Sequence, residues 1–527
     1  MKRAIALAAL IGLSLAAPAE VAAQAAPKRG GTLNFAISAE TPNYDCHAHD
    51  TFAAIHFMAP FYSTLLQFDL KKYPEVRGDL AESWTVAPDM RTYTFKLKPN
   101  VVFHDGQPLT SADIKATYDR IRIPPTGVVS ARRATLEAIE VIETPDPLTV
   151  VFKTKKVDTS LLQQFASPWN CVYSAAKLAE NPKFPETNVM GTGPFRFTEH
   201  VRGSHVAGVR NDKYFVPGQP YLDAIRGNFM LQAAAMVNAL QGGQVLGEFR
   251  GISPAERDRL KQAMGDKIRI EESEWTLNIL IAFNTERKPF DDIRVRQALT
   301  LAIDRWTGSQ ALSRTSTLRA VGGTLRPGSS FATPEADLVK LPGFGKDIKA
   351  NREQARKLLA EAGASNLTFK LTNRTIAQPY TTAGIFLIDQ WRQIGVNVEH
   401  VQQETSPYFA AINSGNFDVV VDFSNLFMDE PTLALAKYVS FDRAPENRSR
   451  AIDRELDTLF DQQRQTLDPA ERTKLLRQFE ARALTQAYQV PLLWWHRIIA
   501  TNQVLNGWNM SPSHTLGQDL AGVWLNQ

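Results

Sequence analysis

Apolar and polar residues alternate along several short stretches of the chain, and each of these stretches predicts a β-strand. In residues 93–98, YTFKLK, aromatic or aliphatic side chains alternate with polar ones, which is the two-residue period of a half-buried strand. The same alternation predicts strands at residues 195–198 and 206–209. Two mainly apolar runs, Leu277 to Phe283 and Val490 to Ile499, predict two further strands.

A helical period appears directly after the first of these strands and again in the second half of the chain. Thr110 precedes Asp113 by three residues, a capping-box arrangement that predicts the start of a helix. From Asn351 to about Ala487, helical and strand-like stretches alternate with short connections. Arg454 to Gln486 is helical, with a break at Asp468-Pro469. Such alternation is typical of an α/β lobe.

The N-terminus has the pattern of an export signal. Lys2 and Arg3 precede a largely apolar run over residues 4–17, and residues 23–25, Ala-Gln-Ala, fit a cleavage site between small residues. We therefore expect a signal peptide over residues 1–25. The apolar run is shorter than the roughly 20 residues that span a bilayer, and no cysteine lies near the junction. A periplasmic protein without a lipid anchor is the expectation.

Length and charge limit the possible functions. The chain has 527 residues and a formal net charge of +4 at pH 7, with no dense block of lysine and arginine. Nucleic-acid binding is therefore a poor interpretation. A chain of this length can bury more than one core, so we expect at least two lobes.

The chain contains two cysteines, Cys46 and Cys171. An oxidising periplasm permits a disulfide between them, and such a bond requires Cα atoms within about 7 Å. The alternative is two separate thiols, buried or in loops. The sequence leaves both alternatives open.

Three segments together resemble a known family. They are residues 80–121, Met190 to Ile225, and Asn284 to Arg305. The first contains, in this order, the motifs AESW, TYTFKLK and FHDGQPLTSADIK. This order is similar to that of bacterial extracellular solute-binding proteins of family 5, the receptors of ABC importers for peptides, nickel chelates and related solutes. The resemblance covers nearly the whole mature chain.

The resemblance implies an α/β fold, a two-lobed periplasmic-binding-protein clamshell with two crossover strands and an extra subdomain in the first lobe. The expected limits are 26–283 for the main part of the first lobe, about 61–188 for its extra subdomain, 284–490 for the second lobe, and 491–527 for the return to the first lobe.

The function implied is that of a periplasmic receptor, expected to be a monomer. It would capture a small or medium organic solute between two closing lobes and deliver it to the ABC importer permease in the inner membrane. We expect no catalytic residues, no cofactor and no nucleic-acid partner. The alternatives are a di- or oligopeptide receptor, a nickel or metal-chelate receptor, and a ligand-sensing partner of a signalling receptor. A hydrolase is a fourth alternative, although the sequence has no GxxxxGK[ST], HExxH or GxSxG motif.

The first group of candidate ligand-binding residues follows Asp45. Cys46, His47, His49 and Asp50 bring sulfur, imidazole and carboxylate close together, a composition that could bind a soft metal. In the family this loop faces the cleft and shapes the pocket. We therefore expect this group, together with Thr51, to contact the ligand without holding a metal.

A second group comprises Glu248, Phe249 and Arg250, with Arg374 and Tyr380 from the other lobe. In the family these positions lie near the ligand. Arg250 would hold a ligand carboxylate bidentately, unless it is a solvated surface arginine. Arg374 and Tyr380 lie where dipeptide receptors meet the carboxylate end of the peptide.

A third group lies in Phe423, Asn425, Phe427 and Asp429. In peptide receptors of the family, an aspartate at the place of Phe427 pairs with the α-ammonium of the peptide. A buried ammonium without its counter-charge is costly, so this departure favours a non-peptide carboxylate as the solute. On the return strand, we expect Trp494 or Trp495 to face either the ligand or the core.

Overall fold

The computed structural model describes residues 26–49, 51–424 and 427–527. The predicted signal peptide and the candidate residues Asp50 and Asn425 lie outside the described residues. Among the described residues, none of the helices has both the length and the apolar character that crossing a membrane requires.

The strands agree with the alternating patterns of the sequence. They are β1 (Thr32–Ile37), β2 (Leu66–Phe68), β3 (Val76–Gly78), β4 (Ala81–Val86), β5 (Thr92–Leu97), β6 (Ile139–Asp146), β7 (Thr149–Thr154), β8 (Phe195–Val201), β9 (His205–Arg210), β10 (Ala224–Phe229), β11 (Gly247–Glu248), β12 (Ile268–Phe283), β13 (Leu318–Ala320), β14 (Thr368–Arg374), β15 (Asn397–Gln403), β16 (Val419–Phe423), β17 (Gln489–Asn502), β18 (Leu505–Asn506) and β19 (Trp524–Leu525).

The α-helices lie mainly between these strands. They are α1 (Phe52–Met58), α2 (Ser111–Arg122), α3 (Leu161–Gln164), α4 (Ala175–Glu180), α5 (Phe184–Thr187), α6 (Ala233–Gln241), α7 (Pro254–Met264), α8 (Ile293–Leu301), α9 (Arg305–Leu312), α10 (Glu335–Leu338), α11 (Ile348–Glu361), α12 (Thr382–Arg392), α13 (Thr405–Ser414), α14 (Pro431–Ala436), α15 (Arg454–Gln465) and α16 (Pro469–Gln486). The capping box of Thr110 and Asp113 and the break before Pro469 are confirmed.

One large sheet runs through both halves of the molecule in the order β15-β14-β16-β12-β17-β11-β1-β10-β9-β8. The group β1 with β8–β11 forms the base of what we call the first lobe. The group β14–β16 forms the base of the second lobe, in which β14 pairs in parallel with both β15 and β16. The two groups are joined at the centre of the sheet by β12 and β17.

The strands β12 and β17 are the two crossover strands. They pair antiparallel from Ile268–Asn502 at one end to Ala282–Gln489 at the other. The first-lobe strand β11 pairs with the far end of β17, whereas the second-lobe strand β16 pairs with the other end of β12. The two lobes are therefore linked through adjacent strands, the arrangement on which two lobes can rotate relative to each other.

A separate four-stranded sheet, β4-β5-β7-β6, forms the subdomain of the first lobe together with α2. Its apolar core includes Phe95, Phe152 and Phe165 and is continuous with buried side chains of α14–α16. The subdomain therefore packs against α14–α16 of the second lobe.

Candidate functional site

Two arginines enter the space between the lobes from opposite sides. Arg250 lies two residues beyond the end of β11, and Arg374 is the last residue of β14. Arg250 is 3% exposed and Arg374 is 0% exposed. Their guanidinium carbons lie 4.2 Å and 5.8 Å from the ring centroid of Phe52, respectively. Both guanidinium groups therefore contact the same aromatic ring.

The guanidinium group of Arg250 is only half satisfied. Its Nη1 donates to the carbonyl oxygen of Gln378 in the second lobe at 2.9 Å, and the side chain also interacts with the hydroxyl group of Tyr380, whereas Nε and Nη2 are enclosed without a well-aligned hydrogen-bond partner. Nε and Nη2 form one edge of the planar group, the edge that matches a carboxylate bidentately. The rings of Trp495 and Tyr380 lie 5.7 Å and 6.0 Å away. This edge is therefore set up to receive an acceptor.

Arg374 contributes further unpartnered donors from the second lobe, although they do not lie on one edge of its guanidinium group. Its Nη2 donates to the hydroxyl oxygen of Thr405 at 2.8 Å, and the side chain also interacts with the hydroxyl group of Tyr380, whereas Nε and Nη1 are enclosed without a well-aligned hydrogen-bond partner. The rings of Tyr380 and Phe409 lie 5.0 Å and 5.7 Å from its guanidinium carbon. Buried polar groups are normally hydrogen-bonded, so these donors also indicate that an acceptor belongs between the lobes.

The backbone around Arg250 is held by two charged side chains. The carboxylate of Glu248 accepts the N–H of Arg250 at 3.1 Å and the N–H of Gly251 at 2.6 Å. Arg497 donates to the carbonyl oxygens of Phe249 and Arg250. Glu248 therefore orders the turn that carries Arg250, and Phe249 packs in the first-lobe core between Phe35 and Trp508.

Burial governs the electrostatics of this site. It lowers the pKa of Arg250 to about 10, which leaves the side chain cationic at neutral pH. Burial also raises the pKa of Glu248 and that of Tyr380, on which the two nearby guanidinium groups act in the opposite direction. The two buried cations, with the carboxylate of Glu248 acting on Arg250, favour an anionic ligand, because charge pairs are stronger in a buried site than in water.

On the far side of Trp495 lies a cavity of about 340 Å³, lined by Trp275, Trp494, Trp495, His496, Glu274, Arg319, Ala320, Arg326 and Pro327. The rings of Trp275 and Trp495 are 4.8 Å apart. Trp494 donates its Nε1 proton to the carbonyl oxygen of Gly323 at 3.2 Å, whereas Nε1 of Trp495 is enclosed without a partner. Of the two tryptophans, Trp495 is the one in contact with the arginine site.

The structure places Phe427 and Asp429 in contacts between the lobes. Phe427 is buried against Phe68 and Trp169 of the first lobe, with ring centroids 6.0 Å and 6.2 Å away. Asp429 accepts a hydrogen bond from Arg326 at 2.6 Å, and its backbone N–H donates to the hydroxyl oxygen of Tyr73 at 3.1 Å. The carboxylate of Asp429 is therefore already neutralised by an arginine.

The loop at 45–49 is tied to the interior of the first lobe. Cys46 and Cys171 form a disulfide with Cα atoms 6.1 Å apart, which resolves the alternatives that the sequence left open. Asp45 pairs with Arg120 at 2.6 Å, and Nε2 of His47 hydrogen-bonds to the carbonyl oxygen of Cys171 at 3.0 Å. Burial lowers the pKa of His47 to about 3, so the ring is neutral.

The remaining candidates of this loop act locally. His49 bonds to the Oδ1 atom of Asn43 at 2.7 Å. Thr51 caps α1 and so places Phe52, the ring shared by both arginines. The residues that the structure describes contain no group of three or more His, Cys, Asp or Glu side chains able to hold a metal ion.

Three residues at the site were missed by the sequence analysis. Phe52 follows Thr51 without any distinguishing signal, and Arg326 lies in a loop. Asn278 is the only polar residue of the run Leu277 to Phe283, which was a signal that could have been used. It is 1% exposed, and both polar atoms of its side chain are enclosed without a partner.

The fold and the enclosed arginines define a two-lobed binding protein. Residues 75–441 match the family described as bacterial extracellular solute-binding proteins, family 5 Middle. The chain therefore belongs to family 5 of the bacterial extracellular solute-binding proteins, a family of binding proteins and not of enzymes.

Known relatives support this assignment. The chain is 30% identical to a putative ABC transporter peptide-binding protein of Brucella ovis over 363 residues, which are 67% of this chain and 65% of the relative. The match thus spans slightly less than two thirds of that relative. The chain is also 27% identical over 471 residues to the glutathione-binding protein GsiB of Escherichia coli O1:K1 / APEC, covering 86% of each chain.

The fold is similar to that of solved structures. The periplasmic binding protein AgaA of A. tumefaciens R10, in complex with agropinic acid, superposes with a TM-score of 0.83 at 24% identity, covering 94% of this chain and 99% of AgaA. At this level of identity the likeness establishes the fold alone.

Proposed function

We propose that this protein is the periplasmic solute-binding receptor of an ABC importer and that its solute is an organic acid held by Arg250 and Arg374. The observation that carries the proposal is the pair of enclosed guanidinium groups, each with two N–H donors that lack a partner. Removing a cation from water without a partner is costly, and a carboxylate between the two arginines would offset that cost.

Closure of the two lobes is the proposed mechanism. Arg250 comes from the first lobe and already donates to Gln378 of the second, and Phe52 contacts both arginines. A solute between them would touch both lobes only when they are shut, so it would shift the population towards the closed form. We propose that the second lobe comprises residues 284–490, that the monomer is the binding unit, and that the closed form docks on the inner-membrane permease.

A peptide receptor is the second candidate. The relative from Brucella ovis is named as peptide-binding, and GsiB as glutathione-binding. Against an ordinary peptide stands the neutralisation of Asp429 by Arg326, because the α-ammonium group of a peptide would lack a counter-charge in this loop. The organic acid of AgaA is a precedent for a non-peptide solute on this fold.

The test is thermal unfolding of the mature protein with matched pairs of ligands. Each pair consists of an acid and its primary amide, taken from short peptides, amino-acid conjugates, aromatic acids and sugar acids. An acid present at one hundred times its dissociation constant adds about 2.7 kcal/mol to the free energy of unfolding. In a chain of this size, this raises the melting temperature by about 2–3 °C. We expect a shift with one or more acids and none with the matched amides.

Variants assign the effect to the site. Arg250→Gln should abolish the shift, and Arg250→Lys should weaken it, because lysine keeps the charge but lacks the bidentate edge. Arg356→Gln is the matched control, since Arg356 lies exposed on α11 and bonds to the carbonyl oxygen of Gln393. Equal stabilisation by acid and amide, or a shift that survives Arg250→Gln, would contradict the proposal.

A further inference from the structure

Asn278 presents a second set of unused hydrogen-bonding groups near the hinge. Its backbone N–H donates to the hydroxyl oxygen of Ser424 at 2.9 Å, and in the sheet it lies opposite Trp494. Its side-chain Oδ1 and Nδ2 are both enclosed without a partner. An enclosed carboxamide that bonds to nothing is destabilising, so the group is expected to have a partner in the functional complex.

Asn278 lies on the crossover strand β12, close along the chain to an aromatic side chain near the arginine site. Asn278 and Trp275 are three positions apart on β12, a span of about 10 Å at most. The ring of Trp275 contacts that of Trp495, which in turn lies 5.7 Å from the guanidinium carbon of Arg250. A molecule of a few linked residues is long enough to reach from one site to the other.

Three carboxylates, one on β12, one on the neighbouring strand β16 and one in the loop after β16, are already paired. Glu274 and Asp429 both contact Arg326. Asp422, which lies opposite the neighbouring Leu280, bonds to Lys437 at 2.8 Å. Each of these carboxylates therefore faces a protein cation. A positively charged group of the solute at this end of the site would lie beside the neutral carboxamide of Asn278 and would have no unpaired carboxylate as its counter-charge.

We infer that Asn278 is a specificity-determining residue that pairs with a neutral amide of the solute, at the end remote from its carboxylate. This inference rests on the proposed function. A carboxamide side chain has both a donor and an acceptor, so it can donate to the carbonyl oxygen, or accept the N–H, of the amide of an acylated nitrogen; these two groups lie on opposite edges of a trans amide, so one hydrogen bond forms. The solute class is an acid whose nitrogen is acylated, such as an N-acyl amino acid or an N-acyl dipeptide.

Isothermal titration calorimetry on the mature protein tests the inference with defined probes. The probes are the dipeptides Ala-Ala, Leu-Ala and Phe-Ala, their N-acetyl derivatives, and the C-terminal amides of those derivatives. We expect at least one N-acetyl dipeptide to bind tenfold or more tightly than its free-amine counterpart. Equal or tighter binding of the free amines, or binding by none of the acetylated probes, would overturn the inference.

Two variants locate the preference at Asn278. Asn278→Asp supplies a carboxylate and should reduce the preference for the acetylated probe at least tenfold. Asn278→Leu removes this hydrogen bond and should weaken binding of the acetylated probe tenfold while the free amine changes less. Asn278→Leu also tests the inference if Asn278→Asp fails to fold. Asn397→Asp, at an exposed position of β15, is the control. An unchanged preference in both folded Asn278 variants would also overturn the inference.

Arg250→Gln distinguishes this failure from failure of the proposed function. If acids bind in a manner that depends on Arg250 but without any preference for acetylated nitrogen, the inference about Asn278 is wrong and the proposed function stands. If binding of every acid is unaffected by Arg250→Gln, the proposed function itself is wrong.

Discussion

Arg464 on α15 and Asp158 in the subdomain form an ion pair in which neither side chain is exposed. Arg464 also donates to Oε1 of Glu137 at 3.2 Å and to the carbonyl oxygen of Thr135 at 3.0 Å. The second lobe is therefore tied to the first through a second polar contact, formed by residues other than those of the arginine site.

Removal of one partner of this pair should be strongly destabilising. Arg464→Ala leaves Asp158 charged and enclosed, and we expect a loss of about 3–5 kcal/mol in the free energy of unfolding, measured by urea denaturation. The double variant Arg464→Ala/Asp158→Ala should lose less. Arg454→Ala, on the same helix but largely exposed, is the control and should cost at most about 1 kcal/mol. A loss for Arg464→Ala as small as that of the control would contradict the prediction.

The disulfide between Cys46 and Cys171 should stabilise the first lobe. It closes a loop across 125 positions of the chain, and the loss of such a bond typically costs about 2–5 kcal/mol. We expect a reducing agent to lower the urea midpoint of the wild type. The double variant Cys46→Ser/Cys171→Ser should begin at that lower midpoint and be insensitive to reductant. Equal midpoints in all four measurements would show that the bond contributes nothing.

Asp79 should make stability depend on pH in an unusual direction. Burial raises the pKa of Asp79 to about 6, whereas an unfolded aspartate has a pKa of about 3.9. Between these values the folded state binds more protons, so the contribution of Asp79 to the free energy of unfolding falls as the pH rises from about 4 to 6. Two pKa units correspond to about 3 kcal/mol.

Asp79→Asn measures this contribution directly. The carboxamide oxygen can still accept the N–H of Thr64, a bond of 2.8 Å in the wild type, but it carries no charge. The variant should gain stability relative to the wild type at pH 7, and the difference should shrink towards pH 4. Asp266→Asn, at an exposed position, should show no such trend. A difference between Asp79→Asn and the wild type that is independent of pH would refute the assignment.

Phe427 should support the closed conformation by packing across the lobes. Phe427→Ala removes its contacts with Phe68 and Trp169, and truncation of a buried phenylalanine typically costs about 3–5 kcal/mol. Because these contacts join two lobes, we expect part of the cost to appear as opening. The readout is a larger radius of gyration of the unliganded protein in X-ray scattering.

Leu467→Ala is the control for this effect, since Leu467 is 60% exposed in the connection between α15 and α16. Its radius of gyration should match that of the wild type. An unchanged radius for Phe427→Ala, together with a lowered melting temperature, would show that the ring stabilises one lobe rather than closure.

The sequence by itself determined the elements and the family. The alternation at 93–98 became β5, and the long apolar runs became the crossover strands β12 and β17. These predictions succeed because side-chain period depends on the local backbone geometry. Two adjacent aspartates, Asp291 and Asp292, precede α8, and Asp292 is the one that accepts the N–H of Arg294, at 2.8 Å.

Only the tertiary structure decided which side chains meet. Asp429 is a candidate ligand-binding residue in the sequence. In the structure its carboxylate is paired with Arg326, which lies 103 positions away in the chain. Cys46 and His47 are neighbours in the sequence, and the fold encloses both beside Cys171, 125 positions from Cys46. Arg250 looked equally like a surface residue, yet it is enclosed with unpartnered donors. The physical reason is that pairing and desolvation depend on contacts between distant segments, which no local period in the sequence encodes.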